Sequence, residues 1–143
     1  MGTTTAISAR SLQYYVIARR WASDLEFFKI ETAFLHHLMD DYFVRLCDKS
    51  CFEEFKHTGK ELLKLEAESS QAEVLLARQL KHVELMAEDI IPENAEELAV
   101  NQVHLEYIMT NINRDYRDVK KAMFSLVEYV LKKNKFITGL HAN

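Results

Sequence analysis

The chain of 143 residues is poor in the residues that turn a backbone, with three glycines and a single proline, Pro92. A sheet of many short strands needs both at its turns, so an ordinary β-sandwich is excluded along with collagen-like and disordered chains. Long helices are the expectation. Two cysteines, Cys47 and Cys51, are too few for a disulfide framework. The N-terminal stretch lacks the apolar core of a secretion signal, and together these features point to a reducing, cytoplasmic setting. No run of about eighteen apolar residues occurs, since the best stretch, Met123 to Leu131, holds Ser125 and Glu128 and leads into Lys132 and Lys133. No membrane span and no membrane partner are expected. Ala6 stands where N-myristoylation needs Ser or Thr.

The signatures of catalysis are missing as well. There is no Gly-rich phosphate loop, no G-x-S-x-G and no H-E-x-x-H, and glycine is too scarce for a backbone oxyanion cradle. A di-iron bundle needs two Glu-x-x-His motifs on facing helices, and only Glu54 with His57 has that spacing. The expectation is a protein that is not an enzyme and carries no cofactor.

What the chain does have is periodicity. After a frayed N-terminus over residues 1–8, with Ser8 or Ser11 as the cap, apolar positions alternate by four and three. The stripe runs Tyr14, Ala18, Trp21, Leu25, Phe28, Thr32, Leu35, Met39, Tyr42 and Leu46. It predicts a first helix over about 9–47. Phe27, Phe34 and Leu38 form a second row beside it, which widens the face to be packed. Ser50 with Glu53 has the spacing of a capping box, so a second helix is expected from Cys51 to about Ile91, ended by Pro92. Asn94 with Glu97 repeats the pattern, and a third helix is expected over about 95–136, closed by Gly139. Its stripe is Leu98, Gln102, Leu105, Met109, Ile112, Tyr116, Val119, Met123, Leu126 and Val130. Helices of roughly 35 to 40 residues, at about 1.5 Å per residue, make rods of about 50 to 60 Å. Links of a few residues force neighbours antiparallel, so the expected fold is a single all-α domain, a long up-down-up three-helix bundle. Self-association would close its open side, which makes a homo-oligomer, simplest as a homodimer, the expected state.

The second helix has an anomaly. Glu66, Ala67, Glu68, Ser69, Ser70, Gln71, Ala72 and Glu73 include no large apolar residue for two turns. Such a stretch is either solvated or close-packed through small residues, and the competing reading is a polar layer at mid-bundle. Residues equally far from a hairpin turn lie at one height. That count sets Glu73 level with Phe27 and Asn113, beside Arg114, and Glu66 level with Phe34 and Lys120, beside Arg117. A layer of Glu66, Ser69, Ser70, Glu73, Arg117 and Lys120 would specify register more than it stabilises.

The same count brings His82 level with His104, with Glu84, Glu106 and Ala18 or Arg19 close by. His82, His104 and Glu106 are a metal-ligand inventory. Against it, both histidines flank their stripes, and Arg19 and Arg20 would oppose a cation. Cys47, Cys51, Glu54 and His57 gather at the first turn, but their spacing is unlike that of a closed zinc site, and the cysteines read as small buried hydrophobes. Cys51 at a helix N-terminus could be a redox-sensitive thiol, yet no dedicated base accompanies it. The aromatics Tyr14, Tyr15, Trp21, Phe27, Phe28 and Phe34 of the first helix read as core before they read as a cofactor pocket.

The chain holds 18 basic and 22 acidic residues, for a net charge of −4. Residues 53–97 carry five basic and twelve acidic side chains, whereas residues 98–143 carry seven and four. Opposite charge on neighbouring helices directs their pairing. The basic cluster of Arg114, Arg117, Lys120, Lys121, Lys132, Lys133 and Lys135 is interrupted by Asp115, Asp118 and Glu128. Nucleic acid is therefore not an expected partner. By elimination the leading expectation is a helical module that binds another helical protein or its own copy. The alternative is a bundle that binds a metal or small molecule at the mid-bundle glutamates or at His82 and His104.

Overall fold

The computed structural model of the chain describes residues 7–43 and 48–142, with side chains through Asp41 and from Asp48 to Lys133. The protein is an all-α three-helix bundle. Its helices are α1 (Ala9–Leu38), continued by a π-helical segment (Met39–Phe43), α2 (Lys49–Ala87) and α3 (Ala95–Ala142). No described helix is long and apolar enough to cross a membrane.

The alternating period is realised in the packing. All ten residues of the α3 stripe, from Leu98 to Val130, are buried. In α1 the expected stripe is buried at Ala18, Leu25, Phe28, Thr32, Leu35 and Met39, with Ser11 added to it; Tyr14 and Trp21 are half-buried, and the side chains of Tyr42 and Leu46 lie outside those described. In α2 the buried line is Cys51, Thr58, Leu62, Leu65, Ser69, Ala72, Leu76, Gln79, Val83 and Met86. The polar stretch of α2 therefore keeps its inward line through two small side chains, as close-packing requires. Large apolar side chains are not needed for helices to approach there.

The second row on α1 does not widen the packed face. Phe27 and Phe34 are 54% and 57% exposed, and Leu38 is half-buried. Two neighbours cover one side of a helix, and these two phenylalanines lie on the other.

Helix ends follow local chemistry. Ser8 caps α1 by accepting the Ser11 N–H at 3.1 Å. Asp48, not Ser50, caps α2: its Oδ1 accepts the backbone N–H of Ser50 at 3.0 Å and of Cys51 at 3.3 Å. A carboxylate also suits the positive end of the helix dipole, so α2 starts two residues before Cys51. The same carboxylate accepts the Tyr129 hydroxyl and pairs with the Lys133 ammonium, tying the cap to α3.

Helix α2 stops before Pro92 acts. Ile90 N–H donates to Leu85 O at 2.9 Å and Asp89 N–H to Met86 O at 3.1 Å, with Asp89 at φ 57°. This is a Schellman stop with an aspartate in the left-handed position usually held by glycine. Asn94 caps α3 as expected, its Oδ1 accepting the Glu97 N–H at 3.1 Å. Gly139 does not end α3, which runs to Ala142. A glycine inside a helix weakens it by about 1 kcal/mol and need not break it.

The chain forms two compact units, Met1–Phe28 with Glu68–Ile112, and Lys29–Ala67 with Asn113–Asn143. In the first, Val83, Met86 and Leu98 form a core cluster against which Ile7, Tyr14, Tyr15 and Ile91 pack. Glu93 staples the start of the chain onto this end. It accepts Ser8 N–H at 2.9 Å, Ser8 Oγ–H at 2.6 Å and Ser11 Oγ–H at 2.8 Å. In the second unit, a Cβ added to Gly59 would lie 3.3 Å from the terminal methyl of Met39. Glycine permits that close approach.

Candidate functional site

A cleft rich in polar groups lies in the first unit. Leu75, Arg78, Gln79 and His82 on α2 face Glu97, Asn101, His104 and Leu105 on α3, around about 240 Å³. Each set follows three- and four-residue steps, which bring side chains onto one helix face. His82 and His104 therefore line one cleft. The expected carboxylates do not join them. Glu84 accepts the Tyr15 hydroxyl at 3.3 Å, and Glu106 is exposed, two residues on from His104 and so about 200° around the helix. Glu97 takes their place in the lining, together with Arg78, whose charge opposes a cation. Among the described residues no three His, Cys, Asp or Glu side chains are gathered as a metal would need.

A buried amide network links the three helices next to this cleft. Gln79 Nε2 donates to Leu98 O and to Gln102 Oε1, both at 3.1 Å, and Gln102 Nε2 donates to Tyr14 O at 3.2 Å. Two acceptors around Gln79 Nε2 fix the amide orientation. That leaves Gln79 Oε1 buried without a hydrogen-bond partner, as is Ser69 Oγ. Gln102 stood out in the α3 stripe. Gln79 is recognisable only as the next inward position after Leu76.

The expected mid-bundle layer does not assemble. Ser69 is buried, Ser70 and Arg117 are exposed, and Glu66 and Glu73 are half-buried. Glu66 meets His36 Nδ1 at 3.1 Å in place of Lys120 or Arg117, and Asp40 lies 3.5 Å from the other ring nitrogen. Arg114 pairs with its neighbour Asp115 at 3.5 Å. Lys120 turns to α1, 3.5 Å from Glu31 Oε1. The level count sets height along a hairpin but not the face on which a residue lies, and here the face decides the partner.

Glu31 is thus the carboxylate that the sequence reading missed. The Tyr116 hydroxyl donates to it and holds its carboxyl below the usual range, against burial and with help from Lys120. Burial and the Glu31 charge push the Tyr116 phenol above its ordinary value. Lys120 also lies 5.6 Å and 5.8 Å from the ring centres of Tyr116 and Phe124. At the first turn, Cys51 is buried as expected, but it is disulfide-bonded and offers no free thiol. Cys47 lies outside the described residues. Glu54 and His57 are exposed.

Among the described residues, the outward face of α1 carries the largest set of exposed apolar side chains aligned on one helix face. Leu12, Val16, Phe27, Ile30 and Phe34 are 52%, 53%, 54%, 67% and 57% exposed. At 3.6 residues per turn they fall within an arc of about 60°, roughly opposite the buried line. Helix α1 is therefore apolar on two faces, only one of which the bundle covers. The second stripe was legible as the seven-residue spacings of Phe27 with Phe34 and of Val16, Ser23 and Ile30. A smaller exposed group, Val100, Val103 and Tyr107, lies on α3. Compared with models of known protein families, with curated proteins and with solved structures, the chain matches none.

Proposed function

We propose that this protein is a non-enzymatic interaction module that associates with its own copy or with another helical protein through the outward face of α1. One observation carries the reading: five large apolar side chains, each more than half exposed, line one face of a single helix. Isolated exposed apolar residues are ordinary, whereas apolar groups aligned on one face, here Leu12 with Val16 and Phe27 with Ile30 and Phe34 on either side of Arg19, Arg20 and Ser23, mark an interaction surface. An amphipathic helix from a partner fits such a stripe through three- and four-residue steps. Light scattering from micromolar to millimolar concentration tests the reading. A mass rising above 16.7 kDa that the variant Phe27→Ser/Ile30→Ser/Phe34→Ser holds at one chain supports it. A wild-type mass of one chain throughout removes self-association.

A second reading, binding of a small molecule or metal, rests on the shared lining of His82 and His104. Titration with zinc, followed by the resonances of both rings, tests it. Joint shifts that His82→Ala abolishes would favour it, and unmoved rings would sink it. The compartment turns on Cys51. Disulfides persist in oxidising compartments and are rare in the reducing cytoplasm, so the bond at Cys51 weighs against the cytoplasmic setting that the cysteine count suggests.

A further inference from the structure

The outward stripe of α1 is self-complementary about one residue. Leu12 lies eleven positions before Ser23 and Phe34 eleven after, and Val16 lies seven before and Ile30 seven after. In an antiparallel pair with its two-fold axis at Ser23, Leu12 of one copy therefore meets Phe34 of the other, and Val16 meets Ile30. Ser23, small and exposed, meets itself where the two backbones come closest. The charges obey the same symmetry. Arg19, four residues before the centre, and Glu26, three after it, fall on one flank of the seam. Arg20, three before, and Phe27, four after, fall on the other. Antiparallel pairing sets Arg19 against Glu26, and Arg20 against the Phe27 ring, twice each. Parallel pairing, in which opposite flanks face, would set Arg19 against Arg20 and Glu26 against the Phe27 ring, so electrostatics select the antiparallel arrangement. All four flanking side chains are exposed.

We infer that the partner of this face is a second copy of the chain, bound through α1 in an antiparallel, two-fold pair centred on Ser23. This rests on the interaction reading above and specifies its occupant. A two-fold interface of this kind repeats each contact, so one complementary pair counts twice. From Leu12 to Phe34 the seam spans about 33 Å at about 1.5 Å per residue.

Two measurements on the full chain test it. Under mild oxidation, Ser23→Cys forms a covalent dimer of twice 16.7 kDa, because residues on the axis approach within disulfide range. The wild type and Val103→Cys, on the outward face of α3, do not. By light scattering, Arg19→Glu or Glu26→Arg alone raises the dimer dissociation constant up to about tenfold, the change being doubled by symmetry. The double variant Arg19→Glu/Glu26→Arg restores it, which loss of folding could not mimic. A dimer that the Phe27→Ser/Ile30→Ser/Phe34→Ser variant abolishes, but that shows no Ser23→Cys cross-link and no charge-swap rescue, overturns this register and leaves the interaction reading standing. A wild-type chain that never dimerises overturns this inference and the self-association reading together.

Discussion

The Tyr116 hydroxyl donates to Glu31 Oε1 at 2.5 Å, joining α3 to α1 through a phenol that is itself buried. Charge-assisted hydrogen bonds of this kind are short and stronger than neutral ones. Tyr116→Phe removes the donor and is expected to destabilise the fold by about 1 kcal/mol, the Glu31 side chain being partly solvated. The pH dependence has two limbs. The folded pKa of Glu31 is depressed, so its contribution is present above the unfolded value and is lost as pH falls through the folded one. The folded pKa of Tyr116 is raised, so its contribution is present below the unfolded value and is lost as pH rises through the folded one. Denaturation of wild type and Tyr116→Phe across the pH range should show the difference shrinking at both extremes.

Glu93 is the second acid-sensitive point. Hydrogen bonds from the Ser8 hydroxyl, then the Ser11 hydroxyl, then the Ser8 N–H lower its pKa. The staple therefore holds above the unfolded carboxyl value and loosens as pH falls through the folded one. Glu93→Gln is expected to lower thermal stability at neutral pH, by about 1 kcal/mol for hydrogen bonds at an exposed site. The loss should vanish in acid. An equal loss at every pH would show that the charge is not involved.

Asp89 holds a left-handed φ of 57° at the end of α2. Glycine adopts that conformation without a Cβ clash, so Asp89→Gly should stabilise the protein by about 0.5–1 kcal/mol in urea denaturation. Pro92→Ala should change little, because the Schellman hydrogen bonds already end the helix upstream of it.

Gln79 and Gln102 should behave as a coupled pair. Gln79→Leu leaves Gln102 Oε1 buried without its donor and is expected to destabilise by about 1–3 kcal/mol. Gln79→Leu/Gln102→Leu removes both polar groups and should recover part of that loss, a non-additivity that a double-mutant cycle measures. Strict additivity would show that the amides act separately.

Cys51 should resist alkylation by iodoacetamide in denaturant and react only after a reductant is added, since its sulfur is engaged in a disulfide. Labelling before reduction would return it to the free, buried cysteine that the sequence suggests.

The helices, their order and the inward line of α3 were legible in the residues themselves, whereas the inward line of α2 through Thr58, Ser69, Ala72 and Gln79 was not. Scarce glycine and proline, and apolar positions alternating by three and four, specify helix through local sterics and one buried face. The α3 stripe from Leu98 to Val130 is buried at every position, and the Asn94 cap closes as its chemistry requires. What the residues left open were choices among near-equal local options. Asp48 outcompeted Ser50 as the α2 cap because its carboxylate also meets Tyr129 and Lys133, which are distant in sequence. The foreseen pair of Glu66 with Lys120 was divided between two α1 residues, Glu66 meeting His36 and Lys120 meeting Glu31, because rotation about the helix axis, and not height along it, determines contact. The cleft uniting His82 and His104 required α2 and α3 in register. Apolar spacing shows that both faces of α1 can pack, but only the placement of α2 and α3 decides that one of them remains uncovered.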